Sequence, residues 1–210
     1  MRIKLLAALS AMVLCQAAAA APPSLPMTPS GPWNVDFGDS MCVLARPYGA
    51  DGATSLILKP AMLGNNMEIA IARKSKAIGD YNDGKAVIAI AGRPVADHAF
   101  FSAYSTTKER LVRTGIDNDD VPLAALVGTL SVDAPGEGNF AFAIPGIAQA
   151  LPVLSKCLEQ LRAIYKVGDA DVGKIATKPK GRAAALFSTD DYPREALDMH
   201  QSGTVGALVW

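Results

Sequence analysis

The residues best suited to acid–base or metal chemistry are few and scattered in this chain. Only two histidines occur, His98 and His200, and they lie too far apart, in different segments, to suggest a metal pair. The run Asp117–Asp120, "DNDD", lacks the glycine and the terminal glutamate of a calcium-binding loop. No CxxC, HExxH or phosphate-binding loop is found either. The sequence therefore predicts no metal site and no cofactor.

The tetrad Ser105–Lys108, "STTK", has a spacing that suits nucleophilic catalysis. In serine β-lactamases and penicillin-binding proteins, a lysine one helical turn after the serine helps to remove its proton. Here the tetrad ends a predicted strand, and the companion motifs S-D-N and K-T-G are missing. We therefore predict that the protein is not an enzyme, with an S-x-x-K serine acyl enzyme as a remote alternative.

The first 21 residues have the layout of a secretory signal peptide. Arg2 and Lys4 precede an apolar run and an alanine-rich tail, with a small-residue cleavage site at 19–21. The apolar run is short for a membrane span, so an uncleaved inner-membrane anchor is the less favoured alternative. Basic and acidic residues balance at 20 each, which gives no indication of a nucleic-acid partner. The expected location is the periplasm.

Two cysteines remain after removal of the signal peptide, Cys42 and Cys157. An even number of cysteines in an oxidising compartment favours pairing, so we predict a disulfide between them. Closing so long a loop would stabilise the fold by about 4–5 kcal/mol on the chain-entropy account. The alternative is two separate buried thiols.

Short apolar runs separated by turn residues make up most of the chain after a proline- and serine-rich segment, 22–30, which is expected to be a flexible lead-in. Their spacing, without helical patterns between them, predicts an antiparallel sheet. A single helical turn is expected within 121–127. The predicted strands are 41–48, 54–62, 66–72, 85–92, 98–106, 128–134 and 139–146, with a further strand beginning at Trp33.

One long helix is predicted from "GIAQALPVLSKCLEQLRAIYKV", because apolar residues recur there at three- and four-residue spacing. Cys157 lies beside this apolar stripe and would attach the helix to the strand at Cys42. The predicted fold class is mainly β with α: an antiparallel β-rich core domain over 31–167, closed by this helix, and then a linker over 168–190. The stripe consists of Ile147, Leu151, Leu154, Leu158, Leu161 and Tyr165.

The segment 31–49 is the most distinctive part of the predicted core. A tryptophan, Trp33, begins one strand, and Arg46 follows the cysteine in the next. Buried aromatic residues usually serve packing, so Trp33 is expected to plug an end of the core and Arg46 to pair at an edge.

The final segment, "YPREALDMHQSGTVGALVW", resembles the opening of the C-terminal domain of the TonB energy-transducer family. A proline in the first helical turn and a glycine at the helix end fit that resemblance, and Val205, Ala207 and Val209 alternate as in a buried strand. Residues 191–210 are therefore predicted to be a truncated start of such a domain. The matching residues are Tyr192, Pro193, Ala196, Gly203 and Val205.

The region before this segment resembles, more loosely, an uncharacterised exported N-terminal region that precedes TonB-like domains in some alphaproteobacterial proteins. The resemblance implies a non-catalytic periplasmic protein that binds a TonB-dependent outer-membrane receptor, or another envelope protein, in energy-coupled transport. The alternative is a stand-alone exported β-domain that binds an unknown ligand. Because the resemblance stops within one strand, residues from about Asp191 onward are expected either to be poorly packed or to borrow a strand edge from the core domain or from another copy.

Overall fold

The computed structural model describes residues 25–63, 65–75, 81–104, 108–117 and 121–168. Within these ranges, nine strands form one sheet with only antiparallel neighbours, and one α-helix follows the last strand. The described part of the chain is therefore mainly antiparallel β with one helix, as the sequence predicts. The predicted signal peptide (1–21) and the predicted TonB-like segment (191–210) lie outside the described residues, as does the predicted linker (168–190) apart from Gly168.

The elements are β1 Asn34–Phe37, β2 Cys42–Tyr48, β3 Thr54–Pro60, β4 Asn66–Lys74, β5 Asn82–Ile90, β6 Arg93–Tyr104, β7 Glu109–Asp117, the 3-10 turn η1 Leu123–Ala125, β8 Thr129–Ala134, β9 Gly138–Ala143 and the helix α1 Ile147–Tyr165. The sheet has the strand order β1-β2-β3-β4-β7-β6-β5-β8-β9. Strands β5, β6 and β7 therefore lie in the sheet in the reverse of their chain order, and β4 pairs with β7 rather than with β5.

A two-residue turn joins β5 and β6. Ala91 and Gly92 both have positive φ, 49° and 77°, between the paired residues Ile90 and Arg93. Two positive φ values in succession characterise the tight hairpin turn whose twist matches that of the strands. The turn therefore sets the register of this strand pair.

Residues of the predicted lead-in connect the two ends of the sheet, because they bind both β9 and β2. Met27 donates to the carbonyl of Ala141 in β9 at 2.7 Å, and Ser30 donates to the carbonyl of Pro47 in β2 at 3.0 Å. Met27 also bridges Phe142, and Pro29 bridges Tyr48. The sheet is thus curled and closed through this segment. The expectation of a flexible lead-in over 22–30 is wrong from Met27 onward, because these backbone groups are hydrogen-bonded on both sides.

The core lies on the buried face of the curled sheet. It is filled by alternate residues of the strands, as expected for a pleated strand with one face buried. The helix α1 contributes its own buried stripe and contacts β1 and β2. The largest fully buried side chains of the core are Tyr48, Phe142, Leu44, Leu56, Leu58, Met67, Ile69, Ile71, Ile88, Ile116, Leu126 and Leu130.

Strand β7 was not among the predicted strands. Its buried residues are Arg110, Val112, Thr114 and Ile116, so two of the four are polar or charged. The usual alternation of apolar and polar residues is therefore weak here, although the burial alternates at every step. Among the described residues, no helix is long and apolar enough to cross a membrane.

Candidate functional site: a helix held at three points, two apolar grooves and a buried ionic cluster

The structure brings together the two cysteines predicted to pair. Cys42 opens β2, Cys157 lies in the middle of α1, and their sulfur atoms are bonded with 6.0 Å between the Cα atoms. Both residues are buried in the core. The five residues of the TonB-like motif, at 192–205, lie outside the described residues, as does His200.

The other candidates from the sequence do not form one site. His98 is half-buried in β6. Lys108 is exposed at a positive φ of 61°, and Ser105 lies outside the described residues. Asp117 ends β7, and the remainder of the acidic run lies outside them too. Among the described residues, no group of three or more histidine, cysteine or carboxylate side chains could hold a metal ion.

Trp33 and Arg46 meet at the start of α1. The guanidinium of Arg46 lies 5.2 Å from the centre of the Trp33 ring. Both side chains donate to the carbonyl of Pro145, from Trp33 Nε1 at 3.0 Å and from Arg46 Nη1 at 2.6 Å. Arg46 Nε also donates to the carbonyl of Gly31 at 2.8 Å. This pair therefore holds the chain where it leaves β9 and enters the helix.

The far end of α1 is attached by two further side chains. Arg162 Nε donates to the carbonyl of Met62 at 2.8 Å, and Tyr165 Oη donates to the carbonyl of Asp39 at 3.1 Å. With the disulfide in the middle and Pro145 at the beginning, the helix is held along its whole length. A helix held in this way presents its exposed side as a rigid surface.

The first apolar groove lies between η1 and α1. It has a volume of about 720 Å3, which is within the range of small-molecule and side-chain pockets. Its wall is apolar over most of its area, and a lysine and a glutamate stand at one side. We call it the helix groove; its lining residues are Ala124, Leu126, Ala148, Leu151, Pro152, Ser155, Lys156 and Glu159.

The second groove lies between the end of β1 and the last turns of α1, with the disulfide in its wall. Its volume is about 450 Å3. Two of its apolar residues are largely exposed, Phe37 at 55% and Ile164 at 72%. We call it the edge groove; it is lined by Phe37, Gly38, Asp39, Cys42, Cys157, Gln160, Leu161 and Ile164.

A carboxylate from the β8–β9 turn lies in the centre of an ionic cluster. Glu137 has a side chain that is 3% exposed. Its Oε1 accepts hydrogen bonds from Ser102 Oγ at 2.5 Å, Asn82 Nδ2 at 3.1 Å and Arg110 Nη2 at 2.5 Å. Its Oε2 accepts from Arg110 Nε and Arg73 Nη2, both at 3.1 Å. One turn residue thus connects four strands: β4, β5, β6 and β7.

The protonation state of Glu137 follows from these contacts. Burial by itself would raise the pKa of the carboxyl group. Hydrogen bonds from Arg110, Ser102 and Asn82, together with the charge of Arg110, outweigh burial and lower the pKa from 4.5 to about 2. The carboxylate is ionised at neutral pH, and its lone pairs are already engaged by donors. It therefore suits the role of a structural connector, not that of a proton acceptor.

Arg73 is the least satisfied member of the cluster. Its Nε is buried and has no hydrogen-bond partner among the described residues. Its guanidinium lies 5.4 Å from the centre of the Phe140 ring, which offers a cation–π contact. Arg73 and Arg110 together surround the single carboxylate of Glu137.

The sequence does not predict this cluster. Glu137 lies between the predicted strands 128–134 and 139–146, and Arg73 and Arg110 stand near strand ends, where charged residues are usually exposed. The one feature that indicates the cluster is the register of the β4–β7 strand pair. Arg73 faces Arg110 across the β4–β7 pair, where two like charges directly opposite each other require a shared anion.

Comparisons of the chain with protein families, with curated proteins and with solved structures give no match. Within the described residues, the fold is a curled antiparallel β-sheet that is closed by residues 27–30 and attached to one helix by a disulfide.

Proposed function

We propose that this chain is a non-catalytic protein of the bacterial cell envelope that binds another protein in support of energy-coupled outer-membrane transport. The observation that carries the proposal is the helix groove, an open apolar depression on a helix held at both ends and in the middle. A rigid apolar surface reduces the entropy that is lost when a partner binds.

The helix groove has a polar feature as well as apolar walls. Proline has no backbone N–H, so Pro152 cannot donate to the carbonyl of Ala148, four residues earlier. The carbonyl of Ala148 therefore lacks its usual helical donor, and Ala148 lines the groove together with Leu151 and the small residue Ala124. The arrangement suits a partner segment that inserts an apolar side chain and offers an N–H donor beside it.

The class of partner follows from the sequence resemblance. The motif at 192–205 is similar to the start of the TonB C-terminal domain, whose family binds outer-membrane transporters. We therefore infer that the partner is a TonB-dependent outer-membrane receptor or a protein associated with one. The signal peptide and the disulfide both fit a protein that works outside the cytoplasm.

The proposal is tested with a photo-crosslinking amino acid placed at Ser155, an exposed residue that lines the helix groove. Irradiation of intact cells, followed by mass spectrometry of the adducts, identifies the neighbour. We expect an adduct with an outer-membrane receptor or a protein that associates with one. An adduct with an unrelated envelope protein, or with a small molecule, would favour the stand-alone binding module instead.

Two arginine variants provide the matched comparison. Ala148→Arg fills the helix groove from an exposed helical position, and Ala163→Arg adds the same side chain at an exposed position of α1 outside the groove. Arginine is well tolerated in helices, so both variants should fold. We expect Ala148→Arg to reduce the adduct at Ser155 at least tenfold and Ala163→Arg to leave it unchanged. Equal adduct yields in both variants would refute the helix groove as the binding surface.

A further inference from the structure

The edge groove lies next to a strand edge that has no pairing partner among the described strands. Strand β1 is the edge strand at one end of the sheet, and it pairs only with β2 among the described strands. Asn34 and Asp36 are exposed along it, and Phe37 at its end is 55% exposed. Open strand edges pair readily with an added strand, and proteins commonly cover them.

The chain leaves the described structure close to this edge. Ile164, in the last turn of α1, lines the edge groove, and Tyr165 binds the carbonyl of Asp39 in the turn that follows β1. Lys166 then turns out of the helix at a positive φ of 53°. The part of the chain that follows the helix therefore begins next to the open edge of β1.

The residues that follow are long enough and have the right pattern to cover the edge. About 35 residues separate Gly168 from Thr204, and a coil of that length has a mean span of roughly 30–35 Å. The segment 204–210, "TVGALVW", is apolar and strand-like, with Val205, Ala207 and Val209 in alternation. Residues 204–210 themselves carry no charged side chain, so the segment brings no like charge to Asp36 and Asp39 at the edge.

We propose that the segment 204–210 of the same chain adds to the open edge of β1 as a further strand and lays one of its faces over the edge groove. Added in this way, it covers Phe37 and Ile164 and pairs the exposed backbone of β1. The tether raises the local concentration of the segment to the order of millimolar, so even weak docking within one chain prevails over docking between chains at micromolar protein. This inference is independent of partner binding at the helix groove, and its test uses no partner.

Hydrogen exchange measured by mass spectrometry on the purified, disulfide-bonded protein tests the proposal. In the wild type, we expect the amides of 204–210, and those amides of β1 that do not point towards β2, to exchange at least tenfold more slowly than those of an unstructured peptide. Phe37→Asp should remove this protection from both segments. Val209→Asp, a change on the alternating apolar face of the added segment, should do the same, and it leaves the described fold intact.

The control is Val127→Asp, because Val127 is 53% exposed and lies outside the edge groove. It should leave the protection of both segments unchanged. Light scattering between 1 and 100 µM identifies the occupant: a monomer with a protected segment supports docking within the chain. A dimer that forms with rising concentration together with the protection would make a second copy the occupant. That outcome, or rapid exchange of 204–210 in the wild type, would overturn the proposal.

Discussion

Arg110 and Glu137 form a two-point ion pair inside the protein. Arg110 Nε lies 3.1 Å from Oε2 and Nη2 lies 2.5 Å from Oε1, and the side chains are 9% and 3% exposed. Arg110 belongs to β7 and Glu137 to the β8–β9 turn, which are not neighbours in the sheet. The pair therefore connects parts of the curled sheet that no strand ladder connects.

Glu137→Gln should be one of the most destabilising conservative changes in the core. The substitution removes the negative charge and leaves Arg110 buried beside Arg73 without an anion. Breaking a buried ion pair from one side costs about 3–5 kcal/mol, and we expect that loss in the free energy of unfolding at pH 7. Urea denaturation followed by circular dichroism measures it.

Glu68→Gln is the matched control for this change. Glu68 also accepts two hydrogen bonds from one arginine, Arg113, but its side chain is 28% exposed. Partly exposed pairs contribute about 0–1 kcal/mol, so this variant should be close to the wild type. Similar losses in both variants would contradict the importance of burial in the Glu137 cluster.

The same cluster predicts a loss of stability in acid. The pKa of Glu137 is lowered from 4.5 to about 2, so the unfolded chain binds a proton more readily than the folded one. The stability that this group contributes is complete above pH 4.5 and is lost as the pH falls towards 2. Glu137→Gln cannot titrate, so the gap in unfolding free energy between it and the wild type should narrow by about 3 kcal/mol over this range. Urea titrations at pH 6, 5, 4, 3 and 2.5 measure the gap, and parallel curves would contradict the prediction.

The sequence was sufficient to predict the features that rest on local periodicity. The apolar stripe of α1 recurs at helical spacing, and most strands are short apolar runs between turn residues, so the helix and most strands are predicted within about three residues of their observed bounds. Strand β6 is an exception, because it begins at Arg93 and not at the predicted residue 98. The cysteine pair followed from compartment and count. The helix and strand signals depend on residues near one another in the chain, and the disulfide prediction depends on the number of cysteines.

The missed features depend on contacts between distant residues. Strand β7 was overlooked because Arg110 and Thr114 occupy its buried face, where their partners are Glu137 and the carbonyl of Ala99. The segment at Met27 has the composition of a flexible lead-in, and only the closure of the sheet gives its backbone groups partners. Burial of polar groups is permitted by partners that a local pattern does not reveal.

Gly136→Ala tests how tightly the β8–β9 turn is fitted to the cluster. Gly136 has a φ of 82°, and a Cβ added there would lie 2.9 Å from Asn82 Nδ2, which binds Glu137. Gly49 has the same φ of 82° with nothing within 4 Å, so Gly49→Ala reports the backbone strain alone. We expect a cost of about 1 kcal/mol for Gly49→Ala and about 2 kcal/mol for Gly136→Ala in urea denaturation. Equal costs would show that Asn82 yields without loss.

The double variant Cys42→Ser/Cys157→Ser measures the contribution of the disulfide. The bond closes a sequence separation of 115 residues, and removal of such a crosslink should lower the free energy of unfolding by about 3–5 kcal/mol. A reducing agent should lower the melting temperature of the wild type but not that of the double variant. A wild type that reacts with a thiol reagent at Cys42 and Cys157 after unfolding without reductant would contradict the bond.

Arg46→Lys should loosen the start of α1, although the charge is kept. Arg46 donates from two nitrogens to different carbonyls and lies over the Trp33 ring, and an ammonium group cannot reproduce this planar, forked geometry. We expect a loss of about 1–2 kcal/mol in the free energy of unfolding, accompanied by a change in the near-ultraviolet circular dichroism of Trp33. Arg93→Lys, at an exposed position, is the control and should stay within about 0.5 kcal/mol of the wild type. If Arg46→Lys behaves like Arg93→Lys, Trp33 alone holds the carbonyl of Pro145, and Trp33→Phe should then carry the whole loss.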